Sequence, residues 1–258
     1  MLKMKLIMPH NYFLLQAGMH MSCKFPVVTI DALLTGQSVP LEGSCALSAI
    51  VKRPSSEKLF IALSGLSGDE QADRKHHGGP EKAIHHYAAD HYDFWKKQEG
   101  ICQDVLLSPG AFGENISTLG LTEETVCLAD QWRMGTALLE VSQARQPCWK
   151  LNFRFGLPDM AEQVQRTCRT GWYYRVLSEG QVAAGDKMVL EKRPCPEWPL
   201  SRLLHLLYHD PLNKAELRKA ADLSFLSANW KKIFTDRLSD GQVEDWSRRL
   251  FGPAQNNL

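Results

Sequence analysis

The sequence predicts a mainly β fold over residues 27–193, followed by a helical segment over residues 200–251. Three observations carry this reading. Between Val27 and Arg193, short apolar runs are punctuated by Gly, Pro, Asp and Ser, the pattern of many short strands. Arg193-Pro194-Cys195-Pro196-Glu197-Trp198-Pro199 then opposes both helix and central strand, because proline lacks an N–H and restricts the residue before it. Beyond this connector the apolar period changes from two to 3.6. Many short strands at this spacing suggest a barrel or a sandwich, which manage exposed edges.

Residues 1–26 read as a loose extension. Lysines and apolar residues alternate there, but Pro9, His10 and Asn11 break any continuous apolar run, which excludes a secretory signal and a membrane span. Residues 47–52 and 58–63 flank Arg53-Pro54-Ser55-Ser56-Glu57 and read as a hairpin. Further strands are expected at 83–87, 112–117, 125–128, 137–142, 172–177 and 187–190. Two helices interrupt them, over 89–98, with Tyr92 and Trp95 a turn apart, and over 158–166, with Met160 and Val164 at helical spacing. In the C-terminal segment, Leu200, Leu203, Leu204 and Leu207 form one stripe, ended by Pro211. Leu217 with Ala221, and Leu226 with Trp230 and Phe234, make two more amphipathic helices. Three short helices cannot bury a core alone. Trp230, Phe234, Trp246 and Phe251 are therefore expected to pack on the β domain or on a second subunit, as in a homodimer.

Composition narrows the function. The 258 residues are 44% hydrophobic and 23% charged with a net charge of +1, as in an ordinary soluble protein. No global field favours nucleic acid or an anionic membrane, and no basic stripe with interleaved aromatics appears. Seven scattered cysteines without a Cys-x-x-Cys pair argue against a disulfide framework or structural zinc and fit the reducing cytoplasm.

Cys148 is the first candidate for chemistry. It follows Pro147 at the end of a strand-like run, between Arg145 and Lys150, and nearby cations favour the thiolate that binds metals or attacks electrophiles. The second is Gly65-Leu66-Ser67-Gly68-Asp69-Glu70-Gln71-Ala72-Asp73-Arg74-Lys75-His76-His77-Gly78-Gly79-Pro80, a polar stretch bounded by glycines that allow close backbone approach to a ligand. Arg74, Lys75 and Lys82 around His77-Gly78-Gly79 suit an anion, with Arg145 and Lys150 beside the thiol. A histidine-built metal site is not expected: His85 and His86 point to opposite faces of one strand, and no His-x-x-x-His helical pair occurs. A cysteine hydrolase would need Cys148, His77 as base and Asp69 as orienter, but nothing in the sequence places the latter two beside the thiol.

The Gly-Asp-x-Gln…His-Gly-Gly pattern resembles the first signature of the MOSC domain, named after the C-terminal part of molybdenum-cofactor sulfurases. Phe112-Gly113-Glu114-Asn115-Ile116-Ser117 resembles the second, and Ser142 to Cys148 the third, which carries the family cysteine. Gly171-Trp172-Tyr173-Tyr174 and Arg237-Leu238-Ser239…Glu244-Asp245-Trp246-Ser247-Arg248-Arg249-Leu250 are similar to stand-alone bacterial YiiM-type proteins. The resemblance spans roughly residues 30 to 251 and implies a MOSC β-barrel with a three-helix appendage. It further implies a molybdenum cofactor, a Mo-pyranopterin with a phosphate. Cys148 would then be catalytic residue and metal ligand, and Arg74, Lys75, His77, Gly78, Gly79, Lys82, Asn115 and Arg145 would be cofactor-binding residues. The implied activity is reduction of a small N-hydroxylated base, such as 6-hydroxylaminopurine, to the amine. An external electron-donating reductase is implied as partner, because the chain carries no flavin, haem or iron–sulfur motif. The alternative is a carrier in which Cys148 holds the cofactor or a persulfide for delivery. A pyridoxal-phosphate desulfurase, which in the sulfurases is a separate domain, has no room here.

Overall fold

The computed structural model describes residues 26–44, 46–73 and 78–253. In chain order the strands are β1 (Val27–Thr29), β2 (Ala32–Thr35), β3 (Val39–Pro40), β4 (Leu47–Ser48), β5 (Arg53–Pro54), β6 (Leu59–Ala62), β7 (Gly65–Leu66), β8 (Ile84–Ala88), β9 (Ile116–Thr118), β10 (Gln131–Met134), β11 (Ala137–Ala144), β12 (Trp172–Ser178), β13 (Gly180–Val182) and β14 (Lys187–Lys192). Helices α1 (Tyr92–Trp95), α2 (Lys150–Phe155) and α3 (Met160–Thr167) lie among them. Helices α4 (Leu200–Tyr208), α5 (Lys214–Ala221), α6 (Ala228–Asp240) and α7 (Ser247–Phe251) follow the proline-rich connector.

Nine strands form one sheet in the order β1-β14-β10-β11-β12-β8-β9-β2-β5. Pairing is antiparallel except between β8 and β9. No pairing joins β1 to β5 among the described residues, so the barrel expected from the sequence is not closed here. The centre of the sheet is buried on both faces: every residue of β8 and nearly every residue of β11 is inaccessible. That explains why these strands read as apolar runs rather than as a clean alternation.

Register determines which side chains share a face. Gln143 pairs with Tyr173, and Tyr173 with His85, forming a row across β11, β12 and β8. The neighbouring row, Ala144–Trp172–His86, points the other way into the main core. His86 is satisfied there, with Nδ1 3.0 Å from the Tyr174 hydroxyl and Nε2 3.0 Å from Thr118 Oγ1. Gly171 just before the row has φ +72°, and a Cβ there would lie 2.3 Å from the His86 carbonyl oxygen. Only glycine allows β12 to approach β8 so closely.

The same core cluster contains Leu139, Val141, Trp172 and Tyr174 of the sheet and Leu203, Leu207, Leu217, Trp230 and Phe234 of α4–α6. The appendage is thus packed on the sheet. Arg237, 1% exposed, secures it by donating to the Leu207 carbonyl and to both Glu244 oxygens. A second cluster joins Tyr87, Trp95, Phe112, Phe155 and Met160 with Leu250 of α7.

Several expectations require correction. Residues 47–52 and 58–63 do not pair: β4 pairs β3, β5 pairs β2, and β6 pairs β7 and β13. Arg53-Pro54 is itself an edge strand, where proline's missing N–H faces no partner. Residues 125–128 form a turn with one bridge, Cys127 to Pro199. The helical segment holds a fourth piece, α7, whose Leu250 packs in the second cluster while Arg249 lies over the Tyr208 ring of α4. Trp230 and Phe234 pack on the β domain as expected, whereas Phe251 is 54% exposed in the single chain.

Candidate functional site

The third motif folds as strand, turn, helix. Pro147 stops β11, Cys148 follows in the turn, and α2 starts at Lys150. Cys148 is 7% exposed and lines a cavity of about 90 Å³. Lys82, Asn115, Arg145 and Lys150 line the same cavity, together with His85 and Tyr173 of the cross-strand row. The ion-paired Lys52 and Asp69 line it as well.

The second motif ties the first to the sheet. Asn115 donates to Asp69 Oδ2 at 2.8 Å and to the Leu34 carbonyl at 3.2 Å, while its Oδ1 accepts from the His85 N–H at 3.0 Å. Glu114, fully buried, accepts from the Gly110 N–H at 2.7 Å and the Phe112 N–H at 3.0 Å, which fixes that turn. Asp69 also accepts from the Gly36 N–H at 2.8 Å and is ion-paired with Lys52. Its oxygens are thereby committed, so it is not poised to orient a histidine as the hydrolase reading required. Asn115 is a positioning group at least as much as a ligand-facing one.

Four cations, Lys52, Lys82, Arg145 and Lys150, share the cavity lining with three carboxylates, Asp69, Glu70 and Asp73, and burial raises the cost of charge there. Desolvation lowers the Lys82 pKa, opposed by the charges of Asp73 and Cys148. Lys52 is lowered for the same reason, against the attraction of Asp69. Burial holds His85 well below the usual histidine range, helped by the Arg145 charge, so His85 is neutral. Burial also raises the Tyr173 phenol, which keeps its proton. Lys150 Nζ donates to the Leu47 carbonyl at 2.9 Å. Two buried atoms on this wall, Arg145 Nη1 and His85 Nε2, have no hydrogen-bond partner among the described residues. A guanidinium nitrogen buried in that state is expensive unless a ligand supplies the acceptor.

Two larger grooves flank the cavity. One, of about 840 Å³, runs along the glycine-rich loop of β6 and β7 and reaches Gly79. The other, of about 740 Å³, shares Lys82, Lys150 and Tyr173 with the cavity and ends at α7. Thus Cys148, Lys82, Asn115 and Arg145 converge, whereas Gly79 lies in the flanking groove with φ +93°. Gly78 precedes it in irregular backbone. Arg74, Lys75 and His77 lie outside the described residues. Sequence reasoning missed Lys52, His85, Tyr173 and Gln143 as cavity or groove residues. The alternation of β8 and β12 was the only signal that could have placed His85 and Tyr173 together.

The C-terminal helix α7 also reaches this site. Arg249 donates through Nη1 to the Pro147 carbonyl at 2.5 Å and through Nη2 to Gln165 Oε1 at 2.5 Å. The Trp149 N–H returns a bond to the Arg249 carbonyl at 2.7 Å. The Cys148 turn is therefore held on both sides by α7. Arg249 acts as a clamp on the turn rather than as a solvated helix-face charge.

Comparison with known proteins bears out the family resemblance. The MOSC domain matches residues 73–189, and the YiiM-like, 3-alpha helix domain matches residues 198–241. YiiM of Escherichia coli (strain K12) is 38% identical over 205 residues, covering 80% of this chain and 91% of YiiM. The chain belongs to the YiiM-type MOSC family. The crystal structure of Escherichia coli YiiM superposes with a TM-score of 0.72 at 31% identity, covering 89% of this chain and 99% of that one. A protein named "Reductase" from Gibberella moniliformis is 42% identical over 152 residues, which are 58% of this chain but 27% of that protein. Among the described residues of this MOSC protein no helix is long and apolar enough to cross a membrane.

Proposed function

We propose that the protein is a molybdenum-cofactor-dependent reductase that converts N-hydroxylated bases, such as 6-hydroxylaminopurine, to the amine. The observation that carries this reading is the pairing of Cys148 with the partnerless, buried Arg145 Nη1 in one cavity. Family membership and the reductase name of one relative support it.

The donor set fits the cofactor. Thiolate sulfur suits a soft, redox-active metal. Arg145 offers a buried donor to an anionic ligand, and Lys82 and Lys150 add point charges beside it. A bound molybdenum cofactor supplies two-electron oxygen-atom-transfer chemistry. The overall reaction, R–NHOH + 2 e⁻ + 2 H⁺ → R–NH₂ + H₂O, needs electrons from an external reductase and two protons. The Tyr173 hydroxyl holds a proton at the cavity, because burial disfavours its anion, and burial makes Lys82 Nζ a readier proton donor than an exposed lysine. Cys148 is 7% exposed, so its contact with bulk water is small.

Replacing Cys148 with Ser removes the proposed metal ligand with minimal change of shape. The variant is expected to lose most bound molybdenum by elemental analysis and its reductant-driven turnover of 6-hydroxylaminopurine. Retention of both would refute the role. Wild-type protein that binds molybdenum and pterin but never turns over with reductant would favour the carrier alternative, in which Cys148 holds the cofactor for delivery.

A further inference from the structure

The groove that ends at α7 has chemistry of its own. It lies beside the Cys148 cavity, sharing Tyr173, Lys82 and Lys150 with it, and its far wall is the C-terminal helix. Three features run along its length. Gln143, 1% exposed, has its Oε1 buried with no hydrogen-bond partner among the described residues. Trp149 and Tyr173 contribute aromatic surface. At the outer end Arg248 is exposed and makes no side-chain hydrogen bond or ion pair among the described residues.

We propose that this groove is a subsite for a fused nitrogen heterocycle carrying a phosphate group, with Gln143 reading the ring and Arg248 the phosphate. A carboxamide offers an acceptor and a donor side by side, the pattern that pairs with an exocyclic amino group and the adjacent ring nitrogen. A buried carboxamide oxygen without a donor is costly, and such a ring supplies the missing N–H. Aromatic side chains pack well against flat heterocycles. Arginine's planar fork matches phosphate oxygens, and Lys82 and Lys150 make the inner end of the groove attractive to anions. The appendage then serves the site directly, through α7.

This chemistry has two sources: the phosphate-bearing pterin of the cofactor, or a substrate presented as a nucleotide rather than a free base. The inference rests on the proposed function only for that choice of ligand. The test uses full-length protein from a host that makes the cofactor, as wild type, Arg248→Ala, Gln143→Met and the surface control Lys232→Ala. Molybdenum and pterin per chain are measured after gel filtration. Calorimetry gives Kd for adenosine 5′-monophosphate and for adenosine. With the cofactor as source, Arg248→Ala and Gln143→Met lose pterin several-fold while the control keeps it. With a nucleotide as source, pterin content is unchanged and Arg248→Ala weakens the monophosphate about tenfold, as for one lost charge-assisted contact, while adenosine changes less than twofold. Gln143→Met then weakens both ligands. Because Arg248 is exposed, its variant separates binding from folding. If Arg248→Ala matches wild type in pterin content and in both affinities, the subsite is refuted. A wild type that binds the monophosphate through Arg248 but holds no molybdenum would instead refute the proposed function and leave the subsite standing.

Discussion

Arg249→Ala tests whether α7 holds the Cys148 turn in place. The substitution removes the bonds to the Pro147 carbonyl and to Gln165 Oε1, each 2.5 Å long. Charged donors to neutral acceptors contribute about 1.5–3 kcal/mol each, and the half-buried guanidinium argues for the lower end. Gln165, 6% exposed, is also left with an unsatisfied oxygen. A local loss of about 3 kcal/mol corresponds to opening of α7 and the turn roughly a hundredfold more often. The Trp149 amide, which bonds the Arg249 carbonyl at 2.7 Å, is the natural reporter for hydrogen exchange. It should exchange about a hundredfold faster in the variant, and Cys148 should alkylate faster, while amides of β11 and β12 keep their protection. Arg249→Lys should fall between, since an ammonium cannot span both acceptors as a planar fork does. Trp149 protection equal to wild type would refute the clamp. So would a loss shared equally by the central strands, because that would report global destabilisation.

Two further outcomes follow from the core. Burial lowers the His86 pKa from 6.5 to about 3. The unfolded chain therefore takes up a proton near pH 6.5 that the folded chain refuses until about 3, and stability falls as pH drops through that window by about 1.4 kcal/mol per unit. In urea titrations between pH 7 and 5, His86→Gln should remove a slope of that size; an unaltered slope would place the proton uptake elsewhere. Trp230→Ala opens a cavity where α6 meets the sheet cluster and should cost about 3–5 kcal/mol. A melting temperature within a degree of wild type would mean that the appendage is not coupled to the sheet.

The fold was most legible where local pattern and tertiary environment agree. β8, β11, β12 and β14, the connector and α4–α6 all fall within a few residues of where apolar runs and helical stripes place them. Illegible elements share a physical cause. β3, β5 and β7 are two residues long, too short for any period to register, and owe their pairing to partners distant in sequence. The hairpin expected around Arg53-Pro54 failed for that reason: a turn-like composition is also what an edge strand tolerates. Helix α2 was hidden because Lys150-Leu151-Asn152-Phe153-Arg154-Phe155 spans fewer than two turns. Its caps come from the fold, with Gly156 in the left-handed region at its end.

The site divides along the same line. Cys148, Arg145 and Lys82 were readable because thiol and cations stand close to motif glycines and prolines in the chain. Gln143, Tyr173 and His85 were not, since each belongs to a different strand and they form a row only once register is set. A slip of one residue in any of the three strands would turn its member of the row from the cavity or groove into the core and bring out Ala144, Trp172 or His86 instead. That sensitivity explains why the second motif spends its polar groups on structure. Asn115 holds the His85 amide, and Glu114 holds the turn before β9, so the register of β8 is fixed by buried hydrogen bonds as well as by apolar contact. Arg249 does the same from the far end of the chain, reaching across 102 residues of sequence to the carbonyl of Pro147. Residues whose work is to hold the register and the turn carry no local signature of it, since the groups they hold become neighbours only when the sheet and α7 have docked.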